Sequence, residues 1–244
     1  MAPDHRSEPI TPEAYGFRLN GRLHLPSGPR HPVVVGSHGL FSDGNSPKQI
    51  ELAERCVAAG IAYCRFDHRG CGASSGRFET ATSLEGRCRD LEAVVGLLRE
   101  RSDIAGAVGL FGSSLGGAVC LAAARRLGAG RIVTVAAPID SRAVLAGDAD
   151  GCGGPDLPSV FRRPALQFDL REEVAGIRNL LVFHGDRDET IPVDQGLTLY
   201  ELAGRPKRIV IHEGGDHRMS LRAHQLRFME EAVRWYLPLK ASAR

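Results

Sequence analysis

The 244-residue sequence carries almost no net charge, +2 at pH 7, and its arginines are scattered rather than gathered into a basic block. A nucleic-acid footprint needs a basic patch or stripe, so no nucleic-acid partner is expected. No apolar run approaches the length of a membrane span, and the opening from Met1 to Pro9 has no apolar stretch able to serve as a signal peptide. These absences predict no membrane span and a cytoplasmic location. The six cysteines, Cys56, Cys64, Cys71, Cys88, Cys120 and Cys152, show no Cys-x-x-Cys spacing, and most fall in predicted strands or helices. They read as reduced, packed thiols rather than disulfides or metal ligands, with Cys71 set apart by its glycine-rich loop. There is no internal repeat and no sign of a second domain.

What is present is the material of an ordinary globular chain. With 43% hydrophobic and 25% charged residues it can bury a sizeable core, and its length suits one α/β domain over residues 1–244. Phe17 to Leu25 alternates apolar and polar residues around Asn20-Gly21, which predicts a hairpin with its turn at that pair. Strands at Val33 to Gly36, Ile61 to Phe66, Ala107 to Phe111, Ile132 to Val135, Leu180 to Phe183 and Ile209 to Ile211 then alternate with helices. One helix opens at Ser46-Pro47 and another at about Thr82, where Thr82 and Glu85 match a capping box. Others follow Ser114, run from Val193 to Ala203, and run from Ser220 to Leu237 before Pro238. Such alternation predicts a mainly parallel sheet with helices on both faces and the antiparallel hairpin at its edge. Residues 141–178 break the rhythm with Gly147, Gly151, Gly153, Gly154, Pro155, Pro158 and Pro164, and read as a small cap or lid insertion.

The segment Ala107 to Gly117 runs from an apolar strand through Gly112-Ser113-Ser114-Leu115-Gly116 into a helix. This is the pattern of a nucleophile elbow, in which a serine hydroxyl projects from the end of a sheet and flanking glycines avoid collision. Centring the pattern on the rival Ser113 puts Phe111 and Leu115 where glycines are needed, so Ser114 is the preferred nucleophile. A serine hydroxyl needs a base and a carboxylate that orients it. The strand at Leu180 leads into His184-Gly185-Asp186-Arg187-Asp188-Glu189, and the strand at Ile209 leads into His212-Glu213-Gly214-Gly215-Asp216-His217.

His38-Gly39-Leu40-Phe41, the loop Asp67 to Gly76, the elbow, His184-Gly185-x-x-Asp188 and Gly215-Asp216-His217 occur in this order from about residue 17 to 237. Through them the chain resembles the α/β-hydrolase superfamily, most of all its feruloyl or cinnamoyl esterase-like and monoacylglycerol lipase-like serine branches, with serine aminopeptidases nearby. The resemblance implies the α/β-hydrolase fold, with Ser114 as nucleophile, Asp188 as acid, His217 as base, and the backbone N–H groups of Leu40 and Leu115 as the oxyanion hole. It implies a small-molecule ester substrate; the cap is not a long apolar lid, which favours short acyl or small aromatic esters, and no metal or organic cofactor is implied because the chain supplies both nucleophile and activator. A serine at the elbow argues against the aspartate-nucleophile and cysteine-nucleophile branches.

Rival residues stay open at this level. Asp186 and Glu189 share the acid's loop, and Asp140 follows another strand as an alternative acid. His212 and His224 compete with His217, while His38 and His184 read as turn residues. Arg69 sits in a glycine-rich loop that lacks the lysine of a phosphate loop, so the resemblance gives Asp67 and Arg69 a structural role there. Arg162-Arg163 reads as solvated surface or as a greeting for an anionic substrate. The same catalytic parts would serve a peptidase or thioesterase, a non-catalytic ligand-binding protein could keep the fold, and the sequence admits a homodimer.

Overall fold

Val33, Val34 and Val35 lie on one strand and point alternately into two separate cores, Val33 and Val35 into one and Val34 into the other. A strand buried on both faces needs this unbroken apolar run. The computed structural model describes residues 6–146 and 163–243. Its strands are β1 (Arg6–Ile10), β2 (Glu13–Ala14), β3 (Phe17–Arg18), β4 (Asn20–Leu25), β5 (His31–Ser37), β6 (Ala62–Asp67), β7 (Ile104–Ser113), β8 (Arg131–Val135), β9 (Leu180–Gly185) and β10 (Lys207–His212). Its helices are α1 (Pro47–Ala58), α2 (Phe78–Ala81), α3 (Leu84–Arg99), α4 (Leu115–Leu127), α5 (Ser141–Ala146), α6 (Arg171–Ala175), α7 (Val193–Leu202) and α8 (Arg222–Tyr236).

Eight strands form one sheet in the order β1-β4-β6-β5-β7-β8-β9-β10. From β6 to β10 every pairing is parallel, and the antiparallel strands β1 and β4 close one edge. One core gathers Leu91, Val95, Leu121, Val174 and Leu199 from α3, α4, α6 and α7. The other gathers Leu52, Cys56, Phe228 and Tyr236 from α1 and α8. The helices thus cover both faces, as the alternation of elements predicts, and no described helix is long and apolar enough to cross a membrane.

Two local expectations are corrected. The N-terminal hairpin exists, but as β2 and β3, with its turn at Tyr15 (φ 52°) and Gly16 (φ 84°). Asn20-Gly21 instead opens β4, because Gly21 is pressed between neighbours: a Cβ there would stand 2.9 Å from Ile10 and 3.0 Å from Phe66. The cap of α3 is Ser83, whose Oγ accepts the Gly86 N–H, while Thr82 is buried with its hydroxyl unpartnered. Of the region read as a cap, α5, a turn at Pro164–Leu166 and α6 are described. Residues 147–162, with Cys152 and Arg162, lie outside the described residues.

Candidate active site

The last residue of β7 and the first of α4 are separated only by Ser114, so the chain must reverse within one residue. Ser114 does so with φ of 53° and ψ of −127°, a conformation that costs a side-chain-bearing residue roughly 1–3 kcal/mol. The surroundings hold it there. The Ser114 N–H donates to Val135 O at 2.8 Å, and the Gly117 N–H donates to Ser114 O at 2.8 Å. A Cβ at position 112 would stand 2.3 Å from Gly116 O, and one at 116 would stand 2.1 Å from Ser37 O. The two glycines of the motif are there because the elbow and the end of β5 touch through backbone.

At the carboxyl ends of β9 and β10, the adjacent loops bring Asp188 and His217 together. His217 Nδ1 lies 2.9 Å from both Asp188 oxygens, and His217 Nε2 lies 3.1 Å from Ser114 Oγ. An ionised carboxylate accepts only, so the imidazole proton sits on Nδ1 and the bare Nε2 accepts from the serine hydroxyl. Asp188 Oδ1 also accepts the N–H groups of Thr190 and Ile191, at 2.9 and 2.7 Å. Burial alone would push this carboxyl up; hydrogen bonds from His184 and His217, with the Ile191 amide, outweigh it and hold Asp188 well below the ordinary carboxylate range. The Asp188 side chain is wholly buried and that of His217 is 16% exposed, so the imidazole reaches solvent while the carboxylate does not.

Leu115 is the first residue of α4, and its amide has no acceptor within the helix. The Leu40 amide donates to no backbone acceptor among the described residues. The turn that carries it lies against the elbow, since a Cβ built at Gly39 would be 3.5 Å from Ser114 Cβ. Beneath that turn lies a buried polar network that joins His38 and the Asp67–Gly76 loop to α3, a connection the motifs do not record. His38 Nδ1 donates to Gly39 O at 2.7 Å, and its Nε2 accepts the His68 N–H at 3.0 Å. His68 bridges Ser37 Oγ (2.8 Å) and Asp90 Oδ2 (3.3 Å), and Asp90 also binds the Arg69 amide and guanidinium. Burial lowers the His68 pKa to about 4 despite the Asp90 hydrogen bond, so this imidazole is neutral near pH 7. Arg87 hydrogen-bonds to the same turn from α3. It was legible only as a charged residue on the apolar stripe of a helix, three after Leu84 and four before Leu91.

The rival residues go elsewhere. Ser113 Oγ accepts from Lys48 Nζ at 3.4 Å, an amine whose pKa burial lowers to about 8 against the pull of Asp216 and Asp188, while His217 Nε2 is paired with Ser114. Asp186 accepts the Gly214 N–H, and Glu189 accepts the backbone N–H of His217, so both brace the loops. Asp140 pairs with Arg142 and Arg171 and is not brought to His217. His212 is buried and stacks on His224 with ring centroids 4.5 Å apart. His184 Nε2 contacts Ile191 O at 2.8 Å and Asp188 Oδ2 at 3.3 Å. Asp67 accepts the N–H groups of Ala73 in its own loop and of Gly44 in the loop before α1, and Arg69 is occupied by Asp90 and the Phe17 ring, which leaves no phosphate cradle. Arg163 donates to the carbonyls of Glu79 and Thr82, beside α2. Cys71 is buried against Arg87.

Residues 28–147 match the family model described as serine aminopeptidase, S33. The uncharacterized protein YfhR of Escherichia coli O157:H7 is 31% identical over 225 residues, which cover 83% of this chain and 70% of YfhR. Among solved structures, Est1E from Butyrivibrio proteoclasticus with ferulic acid bound superposes with a TM-score of 0.80 at 20% identity, over 95% of this chain and 99% of that one. The esterase domain of a Rhodothermus marinus protein gives a TM-score of 0.72 at 25% identity, over 95% and 98% of the two chains. Est1E, at that identity, speaks to the fold alone.

Proposed function

The chain belongs to the α/β-hydrolase superfamily, and from that premise we propose that it is a serine hydrolase cleaving small carboxylic esters through an acyl-enzyme on Ser114. The observation that carries this reading is the hydrogen-bonded series from Asp188 through His217 to Ser114, ending on a serine held at positive φ. In the first step Ser114 Oγ forms a bond to the ester carbonyl carbon as its proton passes to His217 Nε2, and the carbonyl electrons move onto oxygen. The Leu40 and Leu115 amides receive that oxyanion, each contributing on the order of 3 kcal/mol. Collapse expels the alcohol, protonated by His217. A water deprotonated by the same imidazole then attacks the acyl-enzyme and regenerates Ser114. Asp188 keeps the imidazole in the working tautomer and steadies its cation.

A short or aromatic acyl group is favoured by the ledge beside Leu40, where the exposed Phe41 lies 5.4 Å, centroid to centroid, from Phe78. The ferulic acid bound to Est1E is a ligand of that kind. Residues 141–178 are proposed to act as a small cap or lid. A cytoplasmic location is supported by Cys56, Cys64, Cys71, Cys88 and Cys120, all buried and unbridged. The peptidase reading draws on the serine aminopeptidase family model and uses the same residues with an amine leaving group.

Turnover of p-nitrophenyl esters from acetate to laurate, beside aminoacyl p-nitroanilides, tests the proposal. Hydrolysis that is fastest on short esters and lost in Ser114→Ala is expected. Preference for long-chain triglyceride emulsions would contradict the substrate class, faster anilide cleavage would favour the peptidase, and an inert parent would favour a ligand-binding protein.

A further inference from the structure

Arg87 is fully buried on α3, and no Asp or Glu among the described residues forms an ion pair with it. Asp90, one turn further on, is taken by Arg69 and His68. A desolvated cation without a counter-ion is costly, and this one is held by carbonyl groups instead. Its Nη1 donates to His38 O at 3.3 Å and Gly39 O at 3.2 Å, and its Nη2 donates to Leu40 O at 3.0 Å and Cys71 Sγ at 3.3 Å. Three consecutive carbonyls of one turn therefore converge on a single guanidinium.

The direction of those carbonyls fixes the direction of an amide. The Gly39–Leu40 peptide is trans, and a planar trans peptide points its C=O and its N–H opposite ways. With Gly39 O drawn toward Arg87 and the Nδ1–H of His38, the Leu40 N–H is turned away from the guanidinium. The charge on Arg87 also polarises the Gly39 carbonyl, which makes the amide on the same peptide a stronger donor. We infer that Arg87 is a positioning residue, which aims the Leu40 amide at the acyl oxygen over Ser114 and strengthens it as a donor. The inference rests on the serine hydrolase reading, and it gives a role in the reaction to a residue that touches neither substrate nor nucleophile.

The test is Arg87→Met and Arg87→Lys, with kcat and KM on p-nitrophenyl acetate, inhibition by a short alkyl trifluoromethyl ketone, and melting temperature. The ketone adds to the serine as an oxyanion and needs the same amide, whereas KM reports the uncharged ester. Arg87→Met is expected to lower kcat about 100-fold per folded molecule and to weaken the ketone in proportion, with KM within about 3-fold. Arg87→Lys, which keeps the cation but not the fork, is expected to recover about 10-fold of that loss. A lower melting temperature with kcat within 2-fold of the parent would overturn the inference and leave Arg87 a scaffold residue. Should Arg87→Met not fold, the lysine variant decides on the same kcat criterion, and failure of both to fold also assigns Arg87 to the scaffold and overturns the inference. Ser114→Ala runs alongside. Turnover that survives it overturns the hydrolase reading itself, whereas loss there with Arg87→Met unaffected removes this inference alone.

Discussion

On one side of Ser114, Asp188 and His217 arrive from loops that follow neighbouring strands, and their series ends at an imidazole open to solvent. On the other side, His38, His68, Arg69, Arg87 and Asp90 arrive from α3 and the turns after β5 and β6. They satisfy one another almost completely and stay buried. The first cluster has few members because each must face the reacting atoms. The second has many because, on the proposed mechanism, it would hold a piece of backbone whose own N–H groups must remain unpaired. The cluster that would move protons is thus sparse and reaches solvent only at its imidazole, and the one that would shape the backbone is sealed and dense.

Breaking the first cluster is expected to remove activity and leave the fold. In Asp188→Asn the amide would donate to His217 Nδ1, forcing the imidazole proton onto Nε2 where it faces Ser114. A kcat loss on the order of 10⁴-fold with little change in melting temperature is expected from steady-state assays and calorimetry. Breaking the second is expected to cost stability first. Asp90→Ala leaves Arg69 and His68 buried without their carboxylate, a loss of about 3–5 kcal/mol, or on the order of 10 °C in a thermal melt.

Acid should sharpen the contrast further. His68 and His212 both have folded-state pKa values lowered to about 4, chiefly by burial. Below the unfolded value near 6.5 the unfolded chain takes up protons that the folded chain refuses. The contribution of these two groups should therefore be level above about pH 6.5 and fall between pH 6.5 and 4, by up to about 1.4 kcal/mol per pH unit for His68. Urea midpoints measured across that range would show the slope, and a level profile would contradict it. The smallest effect is expected at Asp140. Since His217 pairs with Asp188 and Asp140 with arginines, Asp140→Asn should leave kcat within about 2-fold.

The elements and Ser114, Asp188 and His217 were legible because each follows a strand at a fixed offset, and a short motif records an offset. That the N-terminal region holds a hairpin was legible, while its strands, its turn and its place in a separate two-stranded sheet were not: Asn20-Gly21 has turn chemistry, but the contact of Gly21 with Ile10 and Phe66 is set by residues distant in sequence. The cap of α3 slipped by one residue because Thr82 and Ser83 both have capping hydroxyls, and burial of Thr82 decides between them. The network under Leu40 joins positions 38, 68, 69, 87 and 90, for which no spacing rule exists. His38, His68 and Arg69 fall inside two of the motifs, and the only trace of the other two is a pair of charges, Arg87 and Asp90, on the buried side of α3.

The central claim is that Ser114, and not its neighbour Ser113, is the nucleophile. Intact-mass spectrometry after reaction with a fluorophosphonate, followed by peptide mapping, tests it directly. A single adduct on Ser114, absent from Ser114→Ala and retained in Ser113→Ala, is the predicted result. An adduct on Ser113, or no adduct while esters are still turned over, would contradict the account.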